Sequence, residues 1–167
     1  MHRFDELVQH GAEFSLAALN EANAAVAKDL ETSGATRLVK ALQIVQLQKA
    51  VLAVGMFSIF EATLQNAMGC DKGFREASVR LEARGEAALN ERFGDMQLAI
   101  NVLKHGQGRS YEALVTKAAA LPFRVKLPEE AFFFEGDVSE VSTLIEVDDA
   151  FVRGCAALIR EVSAAIS

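Results

Sequence analysis

Tryptophan is absent from the 167 residues, tyrosine occurs once, and the 7% aromatic content is almost entirely phenylalanine. Stacking platforms for bases are therefore not the expected basis of any nucleic-acid binding. Proline is limited to Pro122 and Pro128, and the 11 glycines are scattered, which excludes collagen-like and low-complexity chains. The two cysteines, Cys70 and Cys155, lie far apart and fit no metal spacing, so they read as buried or incidental thiols of a reducing compartment. A surplus of positive charge is missing too: 17 Lys and Arg stand against 23 Asp and Glu, for a net charge of -6. A protein that coats a duplex needs the opposite sign to neutralise phosphates, which leaves only a local basic site inside an acidic protein. The longest uncharged stretch near the middle, Ala50 to Phe60, is closed by Lys49 and Glu61. As a helix it spans roughly 16 Å, about half a bilayer core. It is expected to be a buried core helix. Acidic residues follow closely on Met1-His2-Arg3-Phe4, so no secretory signal is expected. The sequence predicts a cytoplasmic protein with no membrane association.

What is present is 51% hydrophobic and 24% charged residues, the balance of a globular chain that can offset its ordering entropy by burial. With no internal repeat and no linker, residues 1–167 read as a single domain. Phe4, Leu7, Val8, Phe14, Leu19, Val26 and Leu30 recur at helical spacing over about 3–30, with Thr32-Ser33-Gly34 as the stop and Gly34 as a left-handed cap. A second helix is expected over about 35–68, one-faced in its first half and apolar nearly all round in its second. At about 50 Å it exceeds what a small bundle covers, so its apolar middle is expected to meet a partner subunit as well. A charged helix follows over about 71–90, then a short one over about 96–105 after a break at Gly94-Asp95. Ser110 is the expected N-cap of a helix running to about Leu121. Residues 122–146 hold both prolines and Phe132-Phe133-Phe134, and read as a segment that folds back over the core. Asp148 or Asp149 opens the last helix. The predicted fold is all-α: an up-and-down bundle of four principal helices, one additional short helix and a covering loop segment.

No Walker loop, dinucleotide glycine pattern or nucleophile elbow occurs, and no cofactor is expected. His2 and His10 stand eight apart with no further zinc ligand near them. The segment that stands out is Ile100-Asn101-Val102-Leu103-Lys104-His105-Gly106, followed by Arg109. Asn101 and His105, four apart, project from one helix face, with Met96, Ile100 and Leu103 opposite. Lys104 flanks that face and Arg109 is placed to fold back over it. An imidazole can exchange a proton with a ribose hydroxyl while cations hold a phosphate. The same run is also an ordinary helix end, in which Lys and His complement the dipole and Gly106 supplies the cap. Glu61 either lies at the rim beside a cation or orients His105 or Lys104 across the helix interface.

The region Ile100–Tyr111, behind a long apolar helix ending in Phe60-Glu61, resembles the HEPN superfamily (higher-eukaryote and prokaryote nucleotide-binding domains). Asn101, His105 and Gly106 match its motif, and Glu61 is similar in placement to an acidic residue on an earlier helix. The resemblance in helix order runs from about residue 35 to the end. It implies a small, commonly dimeric helical bundle; many members are metal-independent ribonucleases, toxins or defence components. Where the family carries its arginine this chain has Ile100, which cannot donate a hydrogen bond to a scissile phosphate. The resemblance then implies a homodimeric nucleotide- or RNA-binding or regulatory module without nuclease activity, with a nucleotidyltransferase or antitoxin as partner. Asn101, Lys104, Arg109 and Glu61 would be its binding residues. The alternatives are a metal-independent endoribonuclease using His105, with Lys104 or Arg109 in the arginine's place, and a purely structural helical adaptor. The dimer is also expected from Ala50–Phe60 and from Leu98 and Val102, read as exposed beside the motif's polar face.

Overall fold

Thirty-three consecutive residues, Thr36–Met68, form the central helix of the computed structural model, which describes residues 3–167. In chain order the helices are α1 (Phe4–Leu30), α2 (Thr36–Met68), α3 (Gly73–Ala83), α4 (Ala87–His105), α5 (Arg109–Thr116) and α6 (Asp149–Ile166), with a single 3-10 turn at Ala118–Ala120. The four long ones are α1, α2, α4 and α6; two short helices accompany them rather than one. Among the described residues the only β pairing is one antiparallel bridge, Val125 to Ile145.

The helices pack around α2 because its apolar residues recur on a broad arc. Ala53, Met56, Phe57, Phe60 and Leu64 are buried in the shared core, as are Leu16 of α1, Leu81 of α3, Phe93 of α4 and Val152, Ile159 and Val162 of α6. The second half of α2 is not covered all round. Ala50, Ala53, Met56, Phe57 and Phe60 face inward, whereas Val51 and Ile59 face outward and stay more than half exposed. By length and composition alone α2 would suffice to cross a membrane, but here it is the core helix of a bundle. Lys49 lies within it, buried and paired with Asp149 of α6 at 2.8 Å. Asn20 of α1 donates to the same carboxylate at 2.6 Å. Burial alone would raise the Asp149 pKa; the hydrogen bonds from Lys49 and Asn20 outweigh it and hold the group below its ordinary value. One carboxylate thereby ties the first, second and last helices together.

Four boundaries differ from the sequence expectation, one of them the end of α5, which stops at Thr116 rather than at about Leu121. The break falls at Arg84-Gly85-Glu86, not at Gly94-Asp95. Gly85 takes φ +75°, and the Gly85 and Glu86 amides donate to the carbonyls of Glu82 and Leu81, closing α3 in a Schellman turn. α4 then runs through Gly94 because Phe93 and Met96 on either side of it are anchored in the core. At the end of α1, Gly34 is not among the residues with positive φ; Glu31 ends the helix in right-handed geometry. Helix α5 begins at Arg109 after Gly108, so Ser110 lies within the first turn and is not the cap. Asp148 does cap α6, accepting from the Phe151 amide at 2.7 Å.

Residues 122–147 form a strap over the bundle. Val125, Phe133, Ile145 and Val147 are buried under it, while Phe132 and Phe134 stay about half exposed. The strap is pinned by a buried ion pair, Lys126 Nζ to Glu140 Oε1 at 2.5 Å. Glu140 also accepts from the amides of Phe133 and Phe134, and Lys126 stands over the Phe133 ring. Tyr111 of α5 donates its hydroxyl to the Lys126 carbonyl at 2.6 Å. Both cysteines are free; Cys155 is fully buried, and desolvation pushes its thiol pKa up, away from reactivity.

Candidate functional site

Helices α2, α3 and α4 meet around a group of phenylalanines. Phe57 and Phe60 of α2, Phe74 of α3 and Phe93 of α4 pack edge to face or tilted, the Phe74 and Phe93 centroids 5.3 Å apart. The outer side of this cluster is the floor of an open cleft of about 320 Å³. Phe57, Phe74 and Ile100 make the floor; Ser58 and Glu61 of α2, Lys72 and Arg75 at the start of α3, and Gln97, Asn101 and Lys104 of α4 make the walls.

The cleft owes its shape to a close approach. Gly73, the first residue of α3, lies directly on the α2 backbone: a Cβ there would stand 2.6 Å from the Glu61 carbonyl and 3.1 Å from the Gln65 amide. Only glycine permits that contact. It brings Lys72, Phe74 and Arg75 next to Glu61, although more than ten residues separate them along the chain. No side chain caps the first turn of α3. The positive end of its backbone dipole therefore adds to Lys72 and Arg75 on that wall.

On α4 the face turned to the cleft is Gln97, Ile100, Asn101 and Lys104, spaced as i, i+3, i+4 and i+7. Of the residues singled out in the sequence, Glu61, Asn101 and Lys104 share this cleft. His105 and Arg109 are exposed and lie outside its lining. His105 stands one residue beyond Lys104 at the rim, and Arg109 begins α5 after the turn. Ile100 is 4% exposed, so the position at which the resemblance expects an arginine belongs to the core rather than being a free polar position. Val102 is 2% exposed and Leu98 half-buried, which corrects the expectation that they lie open beside the motif. Gly106 closes α4 at φ +73° and ψ -141°, its amide donating to Val102 at 2.8 Å; the positive φ is as expected, but the conformation is not left-handed helical. His10 is exposed on α1, and His2 lies outside the described residues.

Sequence reasoning missed Lys72 and Arg75. Their only signal was two cations flanking Gly73-Phe74 at a helix start. The side chains of Lys72, Arg75 and Lys104 make no ion pair or hydrogen bond among the described residues, and neither do those of Glu61 and Asn101. Arg80, Arg92, Lys117, Arg124, Lys126 and Arg153 are paired with carboxylates, whereas Lys28, Arg37, Lys40, Arg109 and Arg160, scattered elsewhere on the surface, have no such pair among the described residues. An acidic protein thus presents three uncompensated cations, an amide and a carboxylate around an apolar floor. Such a set can hold an anion by charge and by hydrogen bonds, with half-buried Phe74 as the apolar surface open to a flat group, since Phe57 and Ile100 are buried beneath. Among the described residues no group of His, Cys, Asp or Glu is arranged to hold a metal ion. No family model matches the chain, and no curated protein or solved structure matches it either.

Proposed function

We propose that the chain is a HEPN-like, dimeric, cytoplasmic module that binds the phosphate of a nucleotide or RNA in the α2–α3–α4 cleft. Its role is regulatory, in a toxin–antitoxin or defence setting with a nucleotidyltransferase or antitoxin as partner, and it does not cleave RNA. The observation that carries this reading is the convergence of Lys72, Arg75 and Lys104, all unpaired, on one cleft with Asn101. Cations from two helices can grip a phosphate from both sides, while Glu61 is available to accept from a ribose hydroxyl. The apolar floor offers a face for the base, which compensates for the lack of exposed Trp and Tyr.

The absence of cleavage follows from Ile100 and from the position of His105. Arg75 enters the cleft from α3, whereas the place that the resemblance gives to an arginine on α4 is Ile100, which cannot stabilise developing charge, and an imidazole outside the cleft is not placed for proton transfer. Two measurements test the reading. Fluorescence anisotropy with a labelled single-stranded RNA is expected to show salt-dependent binding that weakens about tenfold or more in Arg75→Glu and Lys104→Glu. Equal affinity in the charge-reversed variants would remove the cleft from consideration. RNA degradation in EDTA, for wild type, His105→Ala and Ile100→Arg, is expected to show no cleavage by wild type. Robust wild-type cleavage that disappears in His105→Ala would instead establish the endoribonuclease.

A further inference from the structure

Helices α1 and α2 run antiparallel, and their outer sides carry the largest exposed apolar surface outside the strap. Phe14 is 78% exposed, and Leu7, Ile44, Leu47, Val51 and Ile59 are each about half exposed. They do not lie at random. On α1, Leu7, Gly11, Phe14 and Ala18 follow steps of four, three and four; on α2, Val51, Gly55, Ser58 and Ala62 do the same, with Ile44, Leu47 and Ile59 at the margins. Such steps average about 3.7 residues, close to the 3.6 of an α-helix, so each set stays on one side of its helix. Phe14 and Ala18 line one groove with Val51, so the two seams run side by side. Between Ile44 and Ala62 no charged residue lies on the α2 seam, which reaches exposed Lys40 at the next step toward the N-terminus, and α1 meets its first at Glu21.

We infer that this face is the docking surface for a second copy of the chain, with the two α1–α2 hairpins closing into a four-helix bundle. Area supports it: the six apolar side chains expose on the order of 600 Å². That is at the upper limit of the patch a monomer leaves in water, and most of the ~800 Å² each partner gives to a standard interface. Shape supports the same occupant. A twofold axis parallel to the helices lays α1 of one copy along α2 of the other. Phe14, level with Val51, then stands over the partner subunit's Val51 and Gly55. A side chain added at Gly55 would meet nothing within 4 Å, which leaves a recess for the ring. The protruding group and its recess both belong to this one sequence, as a self-complementary contact requires. Ser58 lies on the seam and also lines the cleft, so the second copy comes to rest along the cleft's edge.

The inference rests on the dimeric part of the proposed function and assigns its surface. Sedimentation velocity of the full chain at micromolar concentration, for wild type, Phe14→Ala, Val51→Glu and Val79→Glu, tests it. Val79 is similarly exposed but lies on α3, away from the seam. Wild type and Val79→Glu are expected to be dimers. Val51→Glu and the milder Phe14→Ala are expected to raise the dissociation constant about tenfold or more, with an unchanged helical circular dichroism spectrum. A monomeric wild type would overturn both this inference and the dimeric reading. A wild-type dimer that persists unweakened in Phe14→Ala and Val51→Glu would overturn this surface alone.

Discussion

Gly73 and Gly94 are both helical glycines, yet opposite outcomes are expected on replacing them with alanine. At Gly94 an added Cβ meets nothing within 4 Å. Gly94→Ala is therefore expected to stabilise the protein by about 0.5–1 kcal/mol, the ordinary difference in helix propensity. At Gly73 the neighbours are the backbone atoms of Glu61 and Gln65, which cannot move without moving α2. Gly73→Ala is expected to cost about 1–3 kcal/mol and to weaken ligand binding, because Lys72 and Arg75 shift with the start of α3. Urea denaturation of both variants checks the signs; a stabilised Gly73→Ala would show that the contact is not tight. Ile100 belongs at this scale too. It is buried, so an arginine introduced there must first displace core packing.

Among the elements, the strap has an attachment that responds to pH. Desolvation would raise the Glu140 pKa, but the Lys126 ammonium and the Phe133 and Phe134 amides outweigh it, so the group lies below its ordinary value. A carboxylate with a lowered folded pKa contributes stability fully above its unfolded value, about 4.3. That contribution is lost as pH falls through the lowered one. Glu146 has the opposite sign: burial first, then Asp148, raises its pKa, so acid relieves its cost. The difference between wild type and Glu140→Gln isolates the first effect. Melting temperatures are expected to be well separated at pH 7 and to converge below about pH 4. Glu140→Ala at neutral pH should cost about 3 kcal/mol, because it strands Lys126 in a buried site. A separation independent of pH would mean that the pair does not hold the strap. The helices themselves were legible from the sequence, because alanine content and 3.6-residue periodicity act locally. Their breaks were less so. Gly94 looks like a stop by composition, and Gly85 became one only through the hydrogen bonds that close α3. The strap's single bridge and its Lys126–Glu140 pair join residues too far apart for any local pattern to announce.

The whole molecule brings together what the sequence holds apart. Glu61, Asn101 and Lys104 could be suspected individually, since an acid at the end of an apolar run and a polar cluster near a glycine are visible in the letters. Lys72 and Arg75 could not, because their role depends on Gly73 resting against α2. The clustering of Lys72, Arg75 and Lys104 around one cleft is thus a property of three packed helices inside a chain whose net charge is -6. The same packing explains why the seam on α1 and α2 stays open: each helix spends its inner arc on the common core and has an outer arc left over. The last helix has a further consequence, which concerns how the chain is made. α6 supplies Phe151, Val152, Cys155, Ala156, Leu158, Ile159, Val162 and Ile166 to the core, and its Asp149 is the partner of buried Lys49. On the ribosome, α1 to α5 emerge first and have neither. Until residues 149–166 follow them, the inner arc of α2 and Lys49 lack the partners they have in the folded bundle, so the common core cannot close before α6 is made.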